Sequence, residues 1–185
     1  MSIPQMMPED IYSVFIARIN RTNLLYNTLD EDSLVELYNT LYFKYYFDIS
    51  TAIESVIRGI TYVECKNNKY LTYLAEPESD SKAYFLKYEE IKVLIDLNKI
   101  FSLANQAEFE SNYCRKVAAL KSYTVTKSFK NDGTFSEIYT SIRRTRNALA
   151  HGLKAATTVD FDTSTTESYL YVLYLLSVYY KSICD

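Results

Sequence analysis

Glycine and proline are so scarce in this chain that their absence dictates its architecture. Three of each occur in 185 residues, and the prolines stand at positions 4, 8 and 77. A fold of many short strands needs a turn every few residues, and turns draw on these two residue types. Long uninterrupted helices do not. The expected fold is therefore all-α, an up-and-down bundle of about five to six helices. At this length it should form one domain, residues 1–185, with enough chain to bury a real core.

The apolar spacing places the helices. Pro8 suits a first helical turn, with Glu9 and Asp10 favourably near the positive end, and a helix to about Leu29 would carry Ile11, Val14, Phe15 and Ile19 on one face. Asp30 or Asp32 can cap a second helix from Ser33 to about Cys65. Its stripe is Leu34, Leu37, Tyr38, Leu41, Tyr45, Ala52, Val56 and Val63, with Asp48 at the edge. Glu54 and Arg58 fall on the far side, spaced as an exposed ion pair. Gly59 costs about 1 kcal/mol against alanine inside a helix, which suggests close packing or a kink. Residues 66–83 read as a polar surface connection, 84–103 as a third helix with Ile91, Leu94, Ile95 and Phe101 inward, 107–126 as helical, and 127–133 as a basic turn. Ser164 with Glu167 makes a capping box for a last helix that is apolar nearly all round. Too short and too rich in tyrosine for a membrane span, that helix should be buried, centrally or against another subunit.

The stretch from Thr134 to Gly152 reads as one helix, capped by Thr134 or Ser136 and closed by Gly152. Phe135, Ile138, Tyr139, Ile142 and Leu149 form its core face, while Arg144, Asn147 and His151 cluster opposite. Arg146 falls inside the apolar stripe. A guanidinium stays protonated, so burying it demands a carboxylate or phosphate partner. Asp48 is the expected carboxylate, Glu54 the weaker candidate.

Arg146-Asn147-Ala148-Leu149-Ala150-His151-Gly152 resembles the signature of the HEPN superfamily: an arginine, usually a polar residue, a short spacer, then a histidine often followed by glycine. The resemblance covers about one helix. It implies an all-helical fold, usually a dimer, and often a metal-independent ribonuclease, with Arg146 and His151 catalytic. Catalytically silent members of the family also exist. An acidic residue after an aromatic one on an early helix, as in Phe47-Asp48, is similar to many of them.

Charge is unevenly spread. Net charge is −3, yet positions 115–154 hold nine basic and two acidic residues, giving +7 and leaving −10 elsewhere. The motif thus lies in the one basic zone of an acidic protein, as a phosphate-binding surface would. Arg143 and Arg144 are candidate phosphate contacts, Asn147 a candidate to orient His151. Cys65, Cys114 and Cys184 have no metal-ligand spacing, and with a single histidine no metal site and no cofactor are expected. No leader is visible in Met1–Glu9, so the expected setting is the cytoplasm.

Metal-free RNA cleavage needs a base for the 2′-hydroxyl, an acid for the leaving 5′-oxygen, and a cation for the charge on phosphorus. One histidine cannot easily serve as both base and acid. A two-fold homodimer would bring two His151 and two Arg146 into one cleft. Arg146 and His151 lie about 140° apart on an ideal helix, so arginine would have to reach around. The expected activity is an RNA endonuclease of toxin or defence type, with room for an antitoxin or regulatory protein partner and no membrane partner. A silent dimerisation or nucleotide-binding module, and a scaffold packing through the last helix, stand as alternatives.

Overall fold

A computed structural model of the chain describes residues 8–25, 28–67, 86–105, 109, 132–150 and 163–185. Six helices occur among them, and no strand: α1 Pro8–Leu24, α2 Glu31–Asn67, α3 Tyr88–Ile91, α4 Leu97–Leu103, α5 Asp132–Ala150 and α6 Thr163–Cys184. The all-α bundle expected from the breaker count is the fold observed. Among the described residues, no helix is long and apolar enough to cross a membrane.

The centre of the bundle is the pairing of α2 with α6. The middle of α2 contributes Tyr45, Tyr46, Ile49, Ile53, Val56, Ile57 and Ile60, and α6 contributes Leu170, Val172, Leu173, Leu175 and Leu176. Each such aliphatic side chain, taken fully out of water, is worth about 1.5–3 kcal/mol. The apolar last helix is thus central, with 169–173, 175–177 and Tyr179 buried within one chain. Around this pair, α1 lies on α2, α4 lies on α6, and α5 touches both.

Gly59 is explained by that pairing. A Cβ there would stand 2.7 Å from Cε2 of Tyr180 on α6, so glycine lets the two helices approach. Close packing, not a kink, is its role.

The helix boundaries follow local chemistry. Asp30 caps α2: its Oδ1 accepts from the Ser33 N–H at 2.9 Å and its Oδ2 from the Ser33 hydroxyl at 2.7 Å. These bonds hold the Asp30 carboxyl below its ordinary value. Helix α1 stops at Leu24, short of the expected Leu29. The Thr28 N–H and hydroxyl both donate to the Leu25 carbonyl at 2.8 Å, offering the backbone a turn in place of another helical bond. Of its expected inward residues Val14 is 44% exposed, while Ile16 packs on the core; the side chains of Ile11, Phe15 and Ile19 lie outside the described ones. The expected third helix is two, because Asp96 caps α4 by accepting from the N–H groups of Asn98 and Lys99 at 3.0 and 3.2 Å. Tyr179 of α6 secures the break: its hydroxyl donates to the Leu94 carbonyl at 3.2 Å and accepts from the Asp96 N–H at 3.4 Å. Helix α5 begins at Asp132, so Asp132 and Gly133 lie within its first turn and not in the preceding loop.

Several expectations fall outside the described residues: the polar connection beyond Asn67, the helix over 107–126 apart from Phe109, the basic stretch 127–131, Gly152 and His151.

Candidate functional site

Helix α5 carries the motif from Arg146 to Ala150, and aromatic packing fixes where this end points. Phe135, Tyr139 and Ile142 are fully buried, as their spacing requires. Tyr88 of α3 meets Phe135 and Tyr139 at ring separations of 6.2 and 6.1 Å, and Phe101 of α4 meets Phe135 edge-on at 6.4 Å. The Tyr139 hydroxyl donates to the Leu86 carbonyl at 2.8 Å. Burial pushes its phenol well above the ordinary value, against the opposing charge of Arg143. A second set of contacts binds the next turn. Ser141 Oγ and the Tyr169 hydroxyl share a hydrogen bond of 2.8 Å, joining α5 to α6. Tyr46 of α2 packs on Tyr169 at 4.5 Å. Its phenol is likewise raised, first by burial, then by Tyr169, with a hydrogen bond to Thr145 acting the other way.

These contacts deliver Arg146 to α2. Arg146 continues the line of Tyr139 and Ile142, and its side chain is only 19% exposed. The required anion is Glu54. Arg146 Nη2 stands 2.5 Å from Glu54 Oε2, and the Glu54 side chain is 5% exposed. The approach is off the direction of an ideal hydrogen bond, so the contact is an ion pair in the strict sense. The other Glu54 oxygen, Oε1, accepts from Arg58 Nη2 at 2.6 Å. One buried carboxylate thus holds two guanidiniums, and the three groups sum to a single positive charge.

Asp48 does not fill the place expected of it. It pairs with Lys44 one turn before and stands 3.9 Å from Arg18 of α1. Periodicity misplaces the partner because α2 is not packed on one side only. Between Tyr45 and Thr61, Arg58 alone is exposed. With α6 on one flank and α5 on another, the far side of the apolar stripe is also interior, and Glu54 lies there.

Asn147 is half-buried, and its Oδ1 is 3.4 Å from Arg146 Nη1, a long contact. Arg146 Nε is buried with no hydrogen-bond acceptor among the described residues. Two of the three guanidinium nitrogens therefore have no close acceptor among those residues. Arg143 is half-buried and Arg144 exposed, both on the last turns of α5. The structure therefore brings Arg146 and Asn147 together with Glu54 and Arg58, and leaves Asp48 on another face. His151 lies beyond the last described residue of α5, so its distance from Arg146 is not part of this geometry.

The spacing along α2 sends both Glu54 and Arg58 to solvent, whereas the fold buries Glu54. The usable signal was Arg146 itself: a buried guanidinium must meet a carboxylate, and Glu54 sits in the most apolar part of α2. Among the described residues, no group of three His, Cys, Asp or Glu side chains could hold a metal ion. Cys65 is buried and Cys184 exposed, and neither forms a disulfide among the described residues. No family model, no curated protein and no solved structure matches the chain.

Proposed function

We propose that the protein is a metal-independent RNA endonuclease of the HEPN type, acting as a toxin or defence effector and cutting at a site shared by two copies of the chain. The supporting observation is the ion pair of Arg146 with Glu54. It holds a guanidinium near the end of α5, five residues before His151, with one nitrogen anchored and two uncommitted. Such an arginine is preorganised to stabilise charge on a phosphodiester, because its orientation is fixed before substrate arrives.

The chemistry follows from the residues. One His151 takes the proton of the 2′-hydroxyl, and the freed oxygen attacks the adjacent phosphorus. The bond to the 5′-oxygen breaks, and the second His151 gives that oxygen its proton. Arg146 neutralises the extra negative charge on the phosphoryl oxygens. The products are a 2′,3′-cyclic phosphate and a 5′-hydroxyl, and the proton count balances across the two imidazoles. Arg143 and Arg144 extend the positive surface toward the RNA backbone, where contacts position the strand without reading its sequence. An antitoxin or regulatory protein would act by covering this surface.

The same ion pair favours a second reading, in which Arg146 is a structural cation and the chain a catalytically silent dimerisation or nucleotide-binding module. Incubation of the purified protein with RNA in EDTA separates them. The nuclease reading expects cutting by the wild type and at least a hundredfold less by His151→Ala, which should elute as the same dimer. Equal cutting by both, or none by the wild type, overturns it.

A further inference from the structure

Helix α2 carries a row of residues spaced by four that starts at the candidate site and runs toward its C-terminal end: Glu54, Arg58, Tyr62 and Lys66. Residues at this spacing form a ridge on a helix, each step rising about 6 Å and turning about 40°. Exposure grows along the row. Glu54 is buried against Arg146, Arg58 bonds it from the rim, and Tyr62 is 67% exposed. Tyr62 is the one exposed aromatic side chain among the described residues; the others are buried or half-buried. Its ring makes no aromatic contact and its hydroxyl no hydrogen bond among those residues. The charge beside it has one sign. Between Ser55 and Lys66 the one acidic side chain is Glu64, which is half-buried and meets Tyr179 of α6. Lys66 is exposed in the last turn of α2. At the other end Glu54, Arg58 and Arg146 sum to one positive charge. Tyr62 thus lies between a cationic cluster and a lysine, about 12 Å along α2 from Glu54.

We propose that Tyr62 is a stacking platform for one base of a single-stranded RNA, and that Lys66 contacts a backbone phosphate beside it. The proposal rests on the reading that RNA is brought to Arg146, and it gives the strand a path away from that point, along the ridge of α2. Arg58 is already held by Glu54 and is not asked to bind phosphate. An aromatic ring accepts any base, because every base has a π-face, so the platform adds affinity without reading sequence. Fixing a tyrosine costs little, since two torsions set its ring. Rings alternating with cations suit a single strand, whose bases can be splayed out; in a duplex the bases are already stacked on one another. Lys66 supplies a compact charge on a flexible stem, which follows the backbone without fixing its geometry.

The test measures binding without cleavage. A fluorescently labelled 2′-O-methyl oligoribonucleotide has no free 2′-hydroxyl, and its affinity is followed by anisotropy across a salt series. Tyr62→Ala should weaken binding about tenfold, the loss of one stacked base, and leave the slope of log Kd against log salt unchanged because no charge is removed. Tyr62→Phe should bind as the wild type does, and Tyr62→Leu should behave like Tyr62→Ala. Lys66→Ala should reduce the slope by about 0.7, as expected for one lost phosphate contact on a single strand. On an abasic strand of the same length, wild type and Tyr62→Ala should bind alike. Val93→Ala, an exposed apolar side chain trimmed beyond the end of α3, should leave affinity unchanged. Equal affinities of wild type and Tyr62→Ala, the same loss on the abasic strand, or no binding by the wild type would overturn the platform. A platform that behaves as described in a protein that cuts no RNA would sink the nuclease reading and leave the platform standing. Cutting by the wild type with Tyr62→Ala unaffected in affinity would do the reverse.

Discussion

Among the described residues Glu54 is the one carboxylate in contact with Arg146, and replacing it with glutamine removes that charge while keeping its shape. Deleting one partner of a buried ion pair costs about 3–5 kcal/mol, because the remaining charge is stranded. Arg146 keeps 19% of its side-chain surface in water, so it rehydrates in part and the cost belongs near the lower end, about 3 kcal/mol. The reverse deletion is milder. Arg146→Ala leaves Glu54 still bonded to Arg58 at 2.6 Å, so about 1–2 kcal/mol is expected. Arg58→Ala removes a half-exposed partner and should cost under about 1 kcal/mol. The predicted order is thus Glu54→Gln, then Arg146→Ala, then Arg58→Ala. For a chain of this size, 3 kcal/mol lowers Tm by about 6–12 °C. Thermal and urea unfolding followed by circular dichroism at fixed pH and salt would measure all three. A double-mutant cycle between Glu54 and Arg146 should return a coupling of about 1–3 kcal/mol. Glu54→Gln within about 0.5 kcal/mol of wild type, or an order in which Arg58→Ala costs most, would refute the reasoning.

Two further outcomes follow from packing and titration. Gly59→Ala gains about 1 kcal/mol of helix propensity but drives a methyl into the Tyr180 ring, so it should destabilise, and the same substitution in a Tyr180→Leu background should be neutral or stabilising in the same melts. Tyr46 and Tyr139 have phenols raised above the ordinary value near 10, so they stay neutral in the fold and ionise on unfolding; the stability they contribute is present below pH 10 and is lost as pH rises beyond it. Absorbance at about 295 nm should show two or more of the nineteen tyrosines ionising only in step with unfolding, and ionisation of every tyrosine in the native protein would contradict this.

Much of the fold was readable residue by residue. The scarcity of breakers predicted helices, Asp30 announced the start of α2, and the apolar circumference of α6 required a buried place. What escaped were features decided by a neighbour in space. The interruption before α4 had a local sign in Asp96, but its stability comes from Tyr179, more than eighty residues away. The role of Glu54 is inverted because a hydrophobic stripe gives only one preferred side, whereas α1, α5 and α6 all pack on α2. The motif arginine showed that a carboxylate must meet it. Which one does so depends on how α5 crosses α2, and that is set by the aromatic cluster of Tyr88, Phe101, Phe135 and Tyr139. His151 rests on the motif alone, and its partnership with Arg146 is a matter for chemistry.

The most direct measurement uses an RNA that the protein cuts in EDTA, resynthesised with a single 2′-deoxy residue immediately 5′ of the mapped scission. Attack by the neighbouring 2′-hydroxyl predicts that this one missing oxygen abolishes cutting there, and that the unmodified RNA yields 2′,3′-cyclic phosphate and 5′-hydroxyl ends. Scission that persists at the deoxy position, or fragments bearing 5′-phosphate, would contradict the account.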